Sequence, residues 1–286
     1  MDNATMTEGV KTLTEIASGD NGRATVIAVA SGKGGVGKTN ISVNLAICLA
    51  ATGKKVVILD ADIGLANLDV IMGIQSKYNL GHFIRGEKSL DEICQSTDAG
   101  VDVICGGSGV DCLVGLDDFK RQRLLVEFER LGENYDVIIV DTAAGIGKSV
   151  LAFCLAADHT LLVGTPEPTA ITDVYILTKA MVLKKYQGRM SLLINMADSI
   201  NEGKKVYRQI AAAANQFLDV RINNAGVLVR DSRVYASVRK REPVVLAFPK
   251  SSTTRSLLKI AARISRMPVE AADGQGFFKK VVNWFF

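Results

Sequence analysis

The chain has 286 residues, of which 48% are hydrophobic and 22% are charged, so it can bury a substantial core and its composition excludes a disordered protein. The net charge of +4 permits an anionic partner without requiring nucleic acid. No two of the five cysteines have a CxxC or another zinc spacing, which favours reduced thiols in a reducing compartment for Cys48, Cys94, Cys105, Cys112 and Cys154.

Along the chain, polar residues 1–22 come first and end in a GDNG turn or linker; we expect no secretory signal there, because they contain no apolar segment. Short apolar runs then alternate with helical patterns, and none approaches the roughly 18–20 residues that cross a bilayer. The apolar runs predict strands at 24–30, 54–60, 101–106, 135–141, 159–165, 190–196 and 224–230. The helical patterns predict helices at 10–17, 41–53, 119–132, 171–186, 202–218 and 251–267.

This alternation predicts an α/β fold, a doubly wound and mostly parallel sheet with helices on both faces. Ligands of such sheets bind beyond the carboxyl ends of the strands. Pro268 is expected to end the last helix. The predicted organisation is a polar N-terminal segment at 1–22, one folded domain at 23–268, a hinge at 269–275 and a tail at 276–286.

The stretch SGKGGVGKTN (31–40) follows the first predicted strand and leads into a helix. It fits the phosphate-loop pattern GxxxxGK[ST], in which glycines let backbone N–H groups turn toward phosphate oxygens at a helix N-terminus. Lys38 is expected to reach the β- and γ-phosphates, and the hydroxyl of Thr39 to bind Mg²⁺. The predicted ATP-binding residues of this stretch are Gly32, Lys33, Gly34, Gly35, Val36, Gly37, Lys38, Thr39 and Asn40.

Acidic residues follow two later strands. Asp60 and Asp62 are two residues apart, so both point to one side of an extended chain; one can hold the water shell of Mg²⁺ while the other orients an attacking water. Strand-end or capping aspartates are the alternative. Asp141 ends YDVIIVD (135–141), a Walker B pattern that delivers an acid toward Mg²⁺. The small residues at 143–145 suit a switch II segment that moves once the γ-phosphate leaves.

A second lysine, Lys33, lies beside the first glycine of the loop. It is either a solvated side chain or a charge offered to the nucleotide of a facing subunit. KGGVGKT (33–39) resembles the deviant Walker A motif of the MinD/ParA/Soj ATPases, P-loop proteins whose extra lysine reaches across an ATP-sandwich dimer. The resemblance implies Mg-dependent ATP hydrolysis and an ATP-dependent homodimer, with catalytic residues Lys33, Lys38 and Asp62. The magnesium ligands it implies are Thr39 and, through water, Asp60 and Asp141.

Three further positions depend on the same resemblance. Asn195 ends a predicted strand, and its amide is expected to hydrogen-bond the adenine edge. Asp231, in GVLVRDSRV (226–234), is a candidate for the other side of the base. Glu167, in TPEPTAITD (165–173), is expected at the dimer contact. An ordinary loop residue is the alternative at each position.

Several motifs narrow the resemblance to FlhG/FleN, the MinD-like ATPases that control flagellar number and placement. They are SGKGGVGKTN, DADIGLANLDVIMG, VDTAAGIGKSV, EPTAITDVY, NMA and FLDV, and the resemblance covers residues 24–265. Asn40 and Ala143 depart from the MinD pattern; a MinD-like cell-division-site regulator and a ParA/Soj-like DNA-partition ATPase stay as alternatives. The implied partner is a flagellar GTPase of the FlhF type or a flagellar transcription activator. Residues 1–22 lack the DQAxxLR-type segment of many FlhG proteins, which leaves GTPase activation open.

Basic residues near the end of the domain bear on the DNA alternative. Residues 239–241 form a basic cluster, and one side of the last predicted helix carries Arg255, Lys259, Arg263 and Arg266. A solvated helix face is the common meaning of such a pattern, and non-specific DNA binding is the alternative. We do not expect nucleic acid as the main partner.

The last stretch, GFFKKVVNWFF (276–286), sets a broad apolar face against lysines. Such helices lie in the headgroup region of a membrane and are drawn to anionic lipid. The expected membrane contacts are Phe277, Phe278, Lys279, Lys280, Val281, Val282, Trp284, Phe285 and Phe286, which predicts a cytoplasmic protein peripheral on the inner face of the cytoplasmic membrane. Alternatively, the tail packs on its own domain or on a second subunit. A third possibility combines membrane binding with packing: the tail is sheltered against the domain without ATP and released on dimerisation.

Overall fold

The computed structural model describes residues 23–62, 68–107, 126–127 and 129–265, together with Phe277, Lys280 and Val281. Several predictions concern other residues and lie outside this part of the chain. They are the polar segment with its helix at 10–17, the position of Cys112, most of the helix at 119–132, Arg266, the helix stop at Pro268, the hinge at 269–275 and the remaining residues of the tail.

An eight-stranded sheet forms the centre of the domain, with strand order β3-β4-β2-β5-β1-β6-β7-β8. All neighbouring strands are parallel except β3, which runs antiparallel to β4 at one edge. The strands are β1 (Thr25–Ser31), β2 (Val56–Ala61), β3 (Cys94–Ser96), β4 (Asp102–Ile104), β5 (Val137–Ala144), β6 (His159–Gly164), β7 (Arg189–Ala197) and β8 (Asn223–Val229).

Ten helices accompany these strands within the described residues; seven lie between strands and the last three follow β8. They are α1 (Lys38–Ala50), α2 (Leu68–Met72), α3 (Leu80–Ile84), α4 (Leu90–Ile93), α5 (Lys148–Ala156), α6 (Pro168–Leu183), α7 (Ile200–Leu218), α8 (Ser232–Arg239), α9 (Val244–Ala247) and α10 (Ser252–Ser265). A further helical segment occupies 129–134. The predicted α/β class and all seven predicted strands are confirmed, whereas β3, α5 and the short helices were not predicted.

Each face of the sheet packs into its own hydrophobic core. One core joins the sheet to α1 and α10, through residues such as Leu45 and Ile260. The other joins it to α5, α6 and α7, through residues such as Phe153 and Leu177. Because both faces are covered, central strands such as β2 and β6 are buried at every position, which explains why their sequences are almost wholly apolar.

Two local features agree with the bulk composition. The four described cysteines are free thiols, and Cys48, Cys105 and Cys154 are buried. In the part of the chain that the structure describes, no helix is both long enough and apolar enough to cross a membrane.

Candidate nucleotide site

The phosphate loop joins β1 to α1 at the carboxyl edge of the sheet, as its sequence predicts. Gly35 and Gly37 have φ values of +77° and +89°, which turn the backbone in a way that L side chains rarely adopt. Gly32 is required for space, because a Cβ there would lie 2.4 Å from the carbonyl oxygen of Asp173 on α6. The loop therefore has the tight curvature that lets backbone N–H groups converge on phosphate.

Lys38 is the first residue of α1 and lies almost fully buried beneath this loop. Burial lowers the pKa of its ammonium, while the carboxylates of Asp141 and Asp62 act in the opposite direction. A buried ammonium attracts a polyphosphate, because the anion replaces the solvation that the lysine has lost, and the two nearby acids help to keep the ammonium charged.

Asp141 lies on β5, 1% exposed, where two hydroxyls of α1 reach it. Ser42 Oγ donates to Asp141 Oδ1 over 2.8 Å, and Thr39 also bonds this carboxylate. Burial raises the pKa of Asp141 to about 6, although these hydrogen bonds and the charge of Lys38 oppose the increase. Ser42 was not predicted; its position three residues after Thr39, on the same helical face, is the signal that points to it.

Asp60 lies beside Asp141 at the paired end of β2 and β5. Its Oδ1 accepts a hydrogen bond from the backbone N–H of Asp62 over 2.9 Å, while Oδ2 is buried without a partner among the described residues. Burial and the charge of Asp141 raise the pKa of Asp60 to about 8. Gly106, which sequence reasoning missed, permits this arrangement, since a Cβ there would lie 2.9 Å from the Asp60 carbonyl oxygen.

The oxygen donors here fit a hydrated Mg²⁺. The orphaned Oδ2 of Asp60 needs a hydrogen-bond donor, which a metal-bound water supplies. The hydroxyl of Thr39 and the carboxylate of Asp141 add oxygen donors of the kind that Mg²⁺ prefers. The donor set therefore suits a hydrated Mg²⁺ bound to nucleotide phosphates.

A cavity of about 320 Å³ opens beside α1, and both Asn195 and Asp231 line it. Asn195 donates its amide N–H to the carbonyl of Val36 over 2.8 Å, which ties the cavity to the phosphate loop. Asp231 caps α8 and accepts a hydrogen bond from Thr253. Met196, which has φ 57°, and the exposed Tyr235 also line the cavity and were not predicted. Polar groups beside apolar walls suit a heterocyclic base.

Lys33 is paired with residues of its own chain. Its Nζ lies 2.6 Å from Oε2 of Glu167 and 3.0 Å from the hydroxyl of Thr169, both at the start of α6 in the same chain. The hydrogen bond from Lys33 lowers the pKa of Glu167. The two residues assigned to a dimer contact are thus paired within one chain.

Two of the three described residues of the tail are packed against the domain. Phe277 is 2% exposed and Val281 is 4% exposed, and both belong to the core on the α5 face of the sheet. The ring of Phe277 stacks on Phe153 of α5, with centroids 6.4 Å apart and an angle of 28° between the planes. Two of the predicted membrane contacts are therefore sheltered in this state, as the packing alternative predicts for these positions.

Comparison with known proteins identifies the family of the chain. The AAA domain family matches residues 24–194. The antiactivator FleN of Pseudomonas aeruginosa is 41% identical over 246 residues, which cover 86% of this chain and 88% of FleN. The flagellum site-determining protein YlxH of Helicobacter pylori is 35% identical over 272 residues, which cover 93% of this chain and 92% of YlxH. A MinC:MinD cell division complex of Aquifex aeolicus has a chain that superposes with a TM-score of 0.68 at 25% identity, covering 87% and 99%.

The parallel sheet, the phosphate loop and the AAA domain match define the chain as a P-loop ATPase of the MinD/ParA type. Within this class, it belongs to the FleN/FlhG family, whose members match it over most of their length. The family predicted from the motifs is therefore confirmed.

Proposed function

We propose that this protein is a Mg-dependent ATPase that forms a homodimer when it binds ATP, and that the dimer regulates flagellar number or placement. The observation that carries the proposal is the convergence of Lys38, Asp60 and Asp141 beneath a phosphate loop. The names of two relatives, an antiactivator and a flagellum site-determining protein, support the flagellar role. MinD proteins match at lower identity, such as 27% for that of Synechocystis, so we rank cell-division placement second.

In the proposed hydrolysis of ATP to ADP and phosphate, each of these residues has its own task. The loop and Lys38 would hold the phosphates, and a bound Mg²⁺ would supply neutralisation of the charge that develops on them. Thr39 and, through water, Asp60 and Asp141 would hold the ion. Asp62 orients the attacking water.

Dimerisation assigns a second role to Lys33. In the dimer, its ammonium turns to the phosphates of the facing subunit, where it stabilises transition-state charge. To do so it has to leave Glu167, to which it is bonded within one chain. The pair is exposed, so leaving it requires little energy.

Membrane binding follows release of the tail from α5. Phe277 of the tail lies against Phe153, and α5 begins at Lys148, three residues after the proposed switch II at 143–145. A shift of switch II upon ATP binding therefore moves the surface that shelters Phe277. One short helix holds anionic lipid weakly, whereas two on one dimer gain avidity, so the dimer is the membrane-bound form at the inner face of the cytoplasmic membrane.

The functional partner of the dimer is a flagellar transcription activator or a GTPase of the FlhF type. An antiactivator is the better-supported role, because the FleN relative has that name and aligns over 88% of its length.

One set of liposome co-sedimentation experiments tests the switch. The full chain is sedimented with anionic vesicles in ATP and in ADP, alongside a variant lacking residues 276–286 and an Asp62→Ala variant. We expect ATP-dependent binding that needs the tail, and Asp62→Ala should bind in ATP while losing hydrolysis. An Asp91→Ala variant, which removes an exposed acid at the far edge of the sheet, is the matched control. Binding that ignores the nucleotide, or no binding at all, would refute the coupled switch.

A further inference from the structure

The helix α1 carries a serine at a position where packing alone does not call for one. Ser42 is 0% exposed, and residues 41–49 of the helix are all buried. Alanine favours a helix more than serine does and has no hydroxyl to remove from water, so it would suit this position better. Another buried polar side chain of α1, Asn44, has a structural task, because its Oδ1 accepts the N–H of Val245 on α9 over 3.0 Å. The hydroxyl of Ser42 therefore points to a task of a different kind.

The hydroxyl of Ser42 has two acceptors within reach. Its Oγ lies 3.1 Å from the carbonyl oxygen of Lys38, one turn back on α1, and 2.8 Å from Oδ1 of Asp141 on β5. A serine inside a helix can be satisfied by the carbonyl of the preceding turn alone. The shorter distance to the carboxylate marks it as the main acceptor, because hydrogen bonds to charged groups are shorter and stronger.

The carboxylate of Asp141 depends on donors of this kind, since it is only 1% exposed. Two hydroxyls of α1 supply them, those of Thr39 and Ser42. Thr39 is also the residue expected to bind Mg²⁺ directly, so the position of its oxygen has to suit the ion as well. Ser42 lies one turn deeper and is fully buried, so its hydroxyl is available to Asp141 alone.

Both donors belong to one rigid element. Thr39 and Ser42 are three residues apart, which places their hydroxyls on the same face of α1, a helix of thirteen residues. Because Oδ1 of Asp141 is held by Ser42, the plane of the carboxylate has a fixed orientation relative to this helix. α1 thus positions one magnesium ligand of its own, Thr39, and at the same time orients an acid that lies on a different strand.

The other acid of the site, Asp60, is anchored in a different way. Its Oδ1 accepts the backbone N–H of Asp62 over 2.9 Å. Asp62 is the residue proposed to orient the attacking water, so this anchor comes from the reacting part of the site. The anchor of Asp141 comes from the helix that follows the phosphate loop, and it does not depend on the position of Asp62.

We propose that Ser42 is a positioning residue for the magnesium–nucleotide complex: its hydroxyl fixes the carboxylate of Asp141 in the orientation that accepts hydrogen bonds from the water shell of the ion. The proposal rests on the proposed Mg-dependent ATPase activity, and it gives Ser42 no contact with the ion or the nucleotide. Loss of an outer-shell partner typically weakens metal affinity about 10–100-fold. Since Ser42 acts through Asp141, we expect the lower end of that range, about tenfold.

Fluorescence titration of the full chain with N-methylanthraniloyl-ADP measures this effect without hydrolysis. The affinity for this nucleotide is determined in EDTA and at increasing MgCl₂ for the parent, Ser42→Ala and Ser42→Cys. In EDTA both variants should stay within about twofold of the parent, because the phosphate loop and Lys38 are unchanged. The MgCl₂ concentration for half-maximal tightening should rise about tenfold in Ser42→Ala. Ser42→Cys should resemble Ser42→Ala, because a thiol fills the space of the hydroxyl but is a weak donor.

Ser191→Ala is the matched control. Ser191 is also 0% exposed, and its hydroxyl is hydrogen-bonded to Nε2 of His159 over 2.9 Å, near the amino ends of β6 and β7. This variant loses a buried hydroxyl far from the nucleotide, so its half-maximal MgCl₂ concentration should stay within about twofold of the parent.

The outcomes separate the role of Ser42 from the proposed function. A parent whose nucleotide affinity ignores MgCl₂ would overturn the magnesium site and the role of Ser42 with it. A parent that responds to MgCl₂, beside a Ser42→Ala variant that responds equally, would overturn the role of Ser42 and leave the ATPase proposal standing. A parent-like response of Ser42→Cys would assign the effect to side-chain volume and would also overturn the proposal. Equal losses in EDTA and in MgCl₂ would do the same, because they would place the damage in the phosphate loop.

Discussion

The ring contact between Phe153 and Phe277 offers a direct test of tail sheltering. Replacing Phe153 by leucine keeps an apolar side chain on α5 and leaves every residue of the tail unchanged. It removes the stacked ring pair, whose centroids are 6.4 Å apart and in which both rings are almost fully buried. Any gain in membrane binding then comes from the shelter and not from the tail itself.

The size of the effect follows from the ring pair. Such pairs contribute about 0.5–1.5 kcal/mol beyond the area they bury. Losing that amount multiplies the ratio of released to sheltered tail by about two to twelve. Since apparent affinity scales with the fraction of competent molecules, binding to anionic vesicles in ADP should increase by the same factor while the released form is scarce. In ATP, where the proposed dimer already releases the tail, binding should change little.

Co-sedimentation with anionic vesicles measures both expected results, the gain in binding in ADP and the small change in ATP. Phe248→Leu is the matched control, because it replaces a half-buried phenylalanine on the opposite sheet face. Unchanged binding of Phe153→Leu in ADP would mean that the ring contact does not hold the tail. A gain of equal size in ADP and ATP would mean that release is not coupled to the nucleotide.

Three further predictions concern the nucleotide site. Gly32→Ala should lower the free energy of unfolding by about 1–3 kcal/mol and abolish tight ATP binding, because the new Cβ meets the backbone of α6. Gly34→Ala is the control: its Cβ makes only an ordinary 3.9 Å contact, so its melting temperature should stay close to that of the parent. Thermal melts and nucleotide titrations of both variants check this. Because its pKa is raised to about 8, Asp60 holds a proton in the native state that the unfolded chain releases above about pH 4. The stability of the nucleotide-free protein should therefore fall as the pH rises from about 4 to about 8, and Asp60→Asn should flatten that fall. Melting temperatures that change with pH in the same way for both proteins would contradict this. Glu167→Gln frees Lys33 and should tighten the ATP-dependent dimer by up to about fivefold in sedimentation experiments, whereas a weaker dimer would place Glu167 across the interface.

The sequence predicts the sheet well because its signal is local. Buried strands carry apolar runs, such as Val137–Val140 at the start of β5, and a parallel sheet covered on both faces requires such runs. The edge strand β3 has only three residues, Cys94–Ser96, none of them fully buried, so no apolar run marks it. The short helices α2, α3, α4 and α9 have four or five residues each, too few for a helical period to become visible.

The residues of the nucleotide site likewise fall into two groups: those that a local sequence motif predicts and those that it does not. The loop and the strand-end acids are local motifs, so their positions follow from spacing. The bond from Ser42 to Asp141 spans 99 residues of sequence, and the pair of Lys33 with Glu167 spans 134. Both depend on which strands become neighbours, which no local pattern specifies. These contacts can be identified only from the folded sheet, in which β1 lies between β5 and β6.

The helix α5 explains why the tail and the nucleotide site can act together. It has nine residues, begins at Lys148, three residues after the proposed switch II at 143–145, and carries Phe153 about 7.5 Å further along its axis. A helix this short moves as a rigid body, since bending it would break hydrogen bonds that its few turns cannot replace. If the γ-phosphate displaces its first turn, as the proposed switch requires, the displacement reaches the Phe153 ring that shelters Phe277. In the proposed switch, the contact of Phe277 with this helix would couple exposure of the tail to the nucleotide without a longer chain of contacts.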